Sequence, residues 1–266
     1  MIREITIGQY YPQDSVVHRL DPRVKLLGTL VFILSLFLAQ SVPGYAVATL
    51  FLAFAIGMSR VPVRFMVKGL KAVALVLLIT VSFHLFLTPG RELFHIWKLK
   101  VTWEGARQAG FMAVRLAYLI IGSSVLTLTT TPNNLTDGLE KSLSFLNRIH
   151  VPVHEIAMII SIALRFIPIL LEETDKIMKA QMARGADFES GGLIRKVKSL
   201  IPLLVPLFVS AFRRANDLAM AMEARGYRGG AGRTKMKPLI YQKRDVYAYL
   251  VLAVYLTCII VIGRLL

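Results

Sequence analysis

A six-residue pattern occurs twice in this chain. Ala180-Gln181-Met182-Ala183-Arg184-Gly185 and Ala221-Met222-Glu223-Ala224-Arg225-Gly226 both read A-x-x-A-R-G, with the two arginines 41 positions apart. The chemistry these residues offer is recognition rather than bond-making. Arginine is a fixed cation whose planar donor fork matches a carboxylate. Alanine at i and i+3 leaves one face of a helical turn almost bare. Glycine after the last turn adopts the left-handed conformation that stops a helix. A single copy reads as a helix C-cap with a cation near the negative end of the dipole. Two copies, each closing a long segment of helical periodicity, point to a pair of slim cationic docking tips: Ala183, Arg184 and Gly185 on one, Ala224, Arg225 and Gly226 on the other.

Eleven and twelve positions before Arg184 stand Glu173 and Glu172. The same offsets before Arg225 give Arg214 and Arg213. Equivalent places on the two segments therefore carry opposite charge. Helices crossing there would pair them; otherwise they are two solvated faces.

Several other chemistries are missing. There is no G-x-x-x-x-G-K-[ST] phosphate loop, so ATP hydrolysis by this chain is not expected. Gly229-Gly230-Ala231-Gly232 lacks a strand-loop-helix context and reads as slack linker. His150 and His154 flank Pro152 at a helix start, and neither H-E-x-x-H nor an Asp-rich cluster occurs, so no cofactor is expected. Ionisable residues inside apolar runs are few, Arg115 and His84, whereas a permease moving its own polar substrate needs more. Arg165, within Leu164-Arg165-Phe166-Ile167-Pro168, is placed to tether a helix to lipid phosphate or a carboxylate. Cys258 is the single cysteine, in an apolar run, and reads as packing.

The elements that must position these residues follow from composition. Of the 266 residues, 55% are hydrophobic, yet the formal net charge is +16. No charge falls between Lys25 and Arg60, while the stretch from Thr131 through Arg244 carries eighteen Lys and Arg. A membrane part joined to a basic part accounts for both, because basic residues beside a bilayer favour the cytoplasmic side and anionic headgroups. Nucleic acid is not an expected partner, since no basic stretch interleaves aromatics. Residues 1–20 include Arg3, Glu4, Asp14, His18 and Arg19 and no continuous apolar core, so no signal peptide is expected there.

Five spans are expected: Leu26–Ala39 after an Asp21-Pro22 helix start, Tyr45–Met58, Ala72–Thr88, about Gln108–Thr130, and Val246–Gly263. Arg23 and Lys25 would snorkel at the first. Arg60, Arg64, Lys68 and Lys71 read as a basic loop, and Trp97 and Trp103 as interfacial anchors. Between the fourth and fifth spans lie a short amphipathic helix after Thr131-Pro132 and two long helices, about Pro152–Arg184 and Leu193–Arg225, the second kinked at Pro202 and Pro206. The expectation is an all-α polytopic membrane protein with its N-terminus cytoplasmic. Residues 1–130 form four spans, 131–243 a cytoplasmic coupling domain and 244–266 the last span.

The chain as a whole resembles the transmembrane T-component (EcfT family) of energy-coupling-factor (ECF) transporters. The resemblance rests on Asp14-Ser15-Val16-Val17-His18-Arg19-Leu20-Asp21-Pro22-Arg23-Val24-Lys25, on Arg115-Leu116, on Thr129-Thr130-Thr131-Pro132, on Leu164–Pro168 and on the two A-R-G triplets. It implies two ABC-type ATPase subunits as partners, with Arg184 and Arg225 each entering a groove on one of them. It also implies a separate substrate-binding membrane protein, the S-component, which captures a vitamin or a transition-metal ion. The resemblance makes this chain a non-catalytic subunit in a prokaryotic cell membrane. The rival readings are a stand-alone permease or channel and, further off, a membrane phosphoalcohol transferase.

Overall fold

The structure is a computed structural model. It describes residues 10–39, 41–96, 99–186, 192–229 and 238–265, with Phe188 and Met236. Trp97, Ser190, Gly191 and 230–235, which include most of the glycine-rich linker, lie outside them. Eight α-helices are described: α1 Pro22–Leu38, α2 Val42–Ser59, α3 Val63–Leu87, α4 Trp103–Thr129, α5 Pro132–Ser142, α6 Val153–Ala183, α7 Leu193–Ala224 and α8 Lys243–Leu265. The chain divides into two compact units, one of residues 6–142 and 239–266, the other of residues 1–5 and 143–238.

The first unit has a helix at each of the five expected spans. α2, α4 and α8 are each long and apolar enough to cross a bilayer, and α3 is so as a bent pair, Val63–Lys71 and Val73–Leu87, at 63°. α1, at 17 residues, is shorter. α6 also has the length and composition of a span, although its second half carries charge. The supposed basic loop is helical: α3 begins at Val63, nine residues before the apolar run. The reason is spacing. Arg64, Lys68 and Lys71 fall at i, i+4 and i+7 on one helical face, while Met66 is fully buried. The expected loop before α4 contains an antiparallel hairpin, β1 Glu92–Ile96 with β2 Leu99–Thr102, a small addition to an otherwise helical chain.

Helix starts follow their sequence signals. Asp21 caps α1 by accepting the Arg23 N–H at 2.9 Å, with Pro22 at the first helical position. Thr102 accepts the Gly105 N–H at 3.1 Å and donates to the Thr88 carbonyl at 2.8 Å, so one hydroxyl joins the end of α3 to the start of α4. The core of this unit gathers Phe32, Leu36, Tyr45, Ala48, Leu52, Leu252, Tyr255 and Ile259. Gly122 lets α1 and α4 approach: a Cβ there would meet the Phe32 ring at 2.7 Å.

In the second unit a 3-10 turn, Ser144–Ile149, ends on His150 in the left-handed region (φ 62°), and α6 and α7 follow. The short amphipathic helix expected after Thr131 is therefore α5 plus this turn. α7 continues as a single helix through Pro202 and Pro206, and α6 through Pro168.

Candidate functional site: two capped helix ends and their crossing

Both A-R-G sequences close their helices in the same way. Arg184 (φ −89°, ψ 8°) and Arg225 (φ −88°, ψ 8°) are the capping residues. Gly185 and Gly226 follow in the left-handed region, at φ 85° and 69°. The Gly185 N–H donates to the Met182 carbonyl at 2.9 Å, and the Ala186 N–H to the Gln181 carbonyl at 3.0 Å. At the second end Gly226 donates to Glu223 at 2.9 Å and Tyr227 to Met222 at 3.0 Å. These are two Schellman motifs. Ala183, Arg184, Gly185, Ala224, Arg225 and Gly226 are all exposed.

Where α6 and α7 cross, Arg214 Nη2 donates to Glu173 Oε2 at 3.0 Å. The outer residues of each doublet, Glu172 and Arg213, are exposed, as is Arg165 in the apolar half of α6. A second contact sets the sense of the pair: Gln181 Nε2 donates to the Pro202 carbonyl at 3.4 Å. Eight residues forward along α6 thus correspond to twelve residues back along α7. The helices run in opposite senses, and their capped ends lie on opposite sides of the ion pair. Each end is eleven residues beyond it, about 16 Å at 1.5 Å per residue.

Both helices expose apolar side chains that no part of their own unit covers. Ile159 and Ile160 do so on α6; Ile201, Leu204, Val205, Phe208 and Phe212 form a stripe of helical period along α7. Contiguous exposed apolar surface of this kind marks a binding face or a membrane contact.

In the first unit the structure shows a polar knot that sequence reasoning missed. Asp245, 1% exposed, accepts the Asp21 N–H and the Gln242 N–H, both at 2.8 Å. Arg23 forms a forked bond with the Asp21 carboxylate and lies 3.8 Å over the Tyr241 ring. Lys25 does not snorkel: it is 9% exposed and donates to the carbonyls of His18 at 3.1 Å and Thr129 at 2.9 Å. The Thr129 carbonyl is one of those a helix end leaves open. Burial disfavours the charged form of Asp21, but the bonds from Arg23 outweigh it and hold the carboxyl below its ordinary value. Arg115 has a structural place: Nε donates to Tyr45 Oη at 2.9 Å and Nη2 to the Ala39 carbonyl at the end of α1 at 3.5 Å. Among the described residues no three His, Cys, Asp or Glu side chains group as metal ligands.

Fold and surface thus define a polytopic helical membrane protein whose distinctive feature is a pair of matched helix ends. The family described as "Cobalt transport protein" matches residues 13–236. The chain is 54% identical to the energy-coupling factor transporter transmembrane protein EcfT of Clostridium kluyveri, over all of this chain and 98% of the relative. The corresponding protein of Bacillus subtilis is 50% identical, over 92% and 93% of the two chains. That of Lactococcus lactis is 44% identical, over 98% of each. The chain belongs to the EcfT family, the transmembrane proteins of energy-coupling factor transporters.

Proposed function

We propose that this chain couples two cytoplasmic ABC-type ATPases to a substrate-binding membrane protein for the ATP-driven uptake of a vitamin or a transition-metal ion. Arg184 and Arg225 each dock in an acidic groove on one ATPase subunit. Ala183 and Ala224 keep each end narrow enough to enter, and the Schellman caps fix the direction of each arginine. ATP-driven closure of the ATPase pair moves both ends, and α6 and α7 carry that motion to the substrate-binding protein, which rests on the exposed apolar stripe of α7. Hydrolysis belongs to the partners; this chain contributes a packed element with two arrangements. Residues 131–243 are cytoplasmic, as is the N-terminus.

The observation that carries this reading is the pairing itself: two identically capped, exposed cationic ends, equally far from one ion pair and on opposite sides of it. A helix C-cap alone accounts for one end and not for the match. The test is co-purification with the ATPases together with substrate uptake by membrane vesicles. Arg184→Glu and Arg225→Glu each cripple uptake, and the double variant releases the ATPases while still inserting in the membrane. A double variant that held its ATPases and transported normally would end the proposal. Cytoplasmic placement is tested separately in a Cys258→Ser background. Cysteines at the exposed positions Asn147 and Arg228 should resist membrane-impermeant thiol reagents in intact cells; ready labelling of either would reverse the topology.

A further inference from the structure

Helices α1, α2, α4 and α8 of the membrane unit enclose a cavity of about 330 Å³. Its floor is aromatic. The Phe32 and Phe51 rings stack at 5.8 Å, and Phe51 stacks on Tyr255 at 4.2 Å. Its walls are apolar, and Gly28 faces open space, because a Cβ built there meets nothing within 4 Å. Its other end holds two cations, Lys25 and Arg244. From Lys25 to Phe32 is seven residues of α1, about 10 Å of depth. The exposed lining residues Phe54 of α2 and Tyr247 of α8 mark where the cavity opens on the flank of the bundle.

The two cations differ in one respect. The Lys25 ammonium already has two carbonyl acceptors. Arg244 Nε is buried and has no acceptor. The neighbouring carboxylates are engaged elsewhere: Asp245 accepts two backbone N–H groups, and Asp21 holds Arg23. A buried cationic N–H without an acceptor is costly, and a protein interior seldom leaves an apolar void much larger than a water molecule. The site therefore calls for a molecule with an anionic end and an apolar body.

We propose that this cavity takes part of one acyl chain of an anionic phospholipid, against Gly28 and Phe32, with the lipid's phosphate at Arg244 and Lys25 and the rest of the lipid outside it. A free phosphate would leave the apolar walls uncovered. The inference rests on the membrane placement of the chain and not on ATPase docking.

The test is native mass spectrometry of the full-length protein in detergent, titrated with dioleoylphosphatidylglycerol and dioleoylphosphatidylcholine. The wild type retains one phosphatidylglycerol with about fivefold preference over phosphatidylcholine, the scale set by one basic side chain at an anionic headgroup. Arg244→Gln removes that preference and keeps weak binding of both lipids. Gly28→Leu projects into the cavity from a Cβ position with no neighbour within 4 Å, and abolishes retention of both. Glycerol 1-phosphate does not compete. Circular dichroism melting confirms that both variants are folded. Equal retention by wild type and Gly28→Leu would overturn the proposal, as would competition by glycerol 1-phosphate. Crosslinking from a photoreactive residue at position 54 to a protein in place of lipid would also overturn it.

Discussion

Arg214 of α7 donates to the Glu173 carboxylate of α6 across 3.0 Å, and each of these residues stands eleven positions before the arginine that caps its helix. The side chains are 38% and 27% exposed, so the bond is neither fully screened nor fully buried. Glu173→Arg or Arg214→Glu alone places like charges at the crossing, and the double reversal restores the pair. The expected coupling in that double-mutant cycle is about 0.5–1 kcal/mol. It is read from the thermal midpoints of the detergent-solubilised protein. Strict additivity would mean that the contact contributes no energy.

The two ends separate the effects of bulk and of backbone. Ala183→Leu and Ala224→Leu add volume on exposed turns, so stability should hold within about 0.5 kcal/mol while uptake falls severely. Gly185→Ala and Gly226→Ala meet no neighbour within 4 Å, so their cost is that of the left-handed backbone alone, about 1–2 kcal/mol confined to the cap. Asparagine tolerates that conformation and should be milder. The expected order of loss in uptake is Ala→Leu, then Gly→Ala, then Gly→Asn. Full uptake by both leucine variants would show that the ends need not be narrow.

Asp245 ties the start of α8 to the start of α1. Asp245→Ala leaves the buried Asp21 N–H and the part-buried Gln242 N–H without an acceptor, and should cost about 1–3 kcal/mol. Asp245→Asn keeps one acceptor oxygen and should cost less. Chemical denaturation of the solubilised protein distinguishes the two, and equal effects would indicate that only the charge matters.

His18 gives the membrane unit a pH response. Burial pushes its imidazole below the ordinary histidine value; the neutral ring donates from Nε2 to the Tyr11 carbonyl at 3.1 Å and accepts at Nδ1 from Ser15 Oγ at 2.6 Å. The unfolded chain therefore binds the proton first. Stability is complete above the unfolded value of about 6.5 and declines as pH falls from there through the lower folded value. The melting temperature should drop on acidification below about pH 6.5, and His18→Gln should flatten that part of the profile. An unchanged slope in the variant would assign the response to another group.

Much of the fold was legible because its signals are local. Asp21-Pro22 starts α1, and each A-R-G sequence ends its helix within a residue of the expected place. The opposite charges at equal offsets from the two ends also showed which side chains could meet at a crossing. The rest depends on partners far apart in sequence. Asp245 and Asp21 are separated by 224 positions, so nothing near either announces the bond. Lys25 read as a snorkelling cation because the carbonyl it binds, that of Thr129, has no sequence signature. The basic run Arg64, Lys68 and Lys71 read as loop because charge was given more weight than its spacing along a helix.

Eleven residues make three helical turns and about 20° more, so each capping arginine returns to nearly the same angular phase as the side chain at the crossing. In the proposed coupling, Glu173 and Arg214 are the fulcrum of a lever with two equal arms in equal phase. Turning one helix by ten degrees about that point displaces its tip by about 3 Å, and the same turn of the other gives the same stroke. The gearing between the ends is one to one. Inserting a single residue after Arg214 would lengthen one arm by only about 1.5 Å but swing its arginine by about 100°, a change of heading far larger than the change of reach.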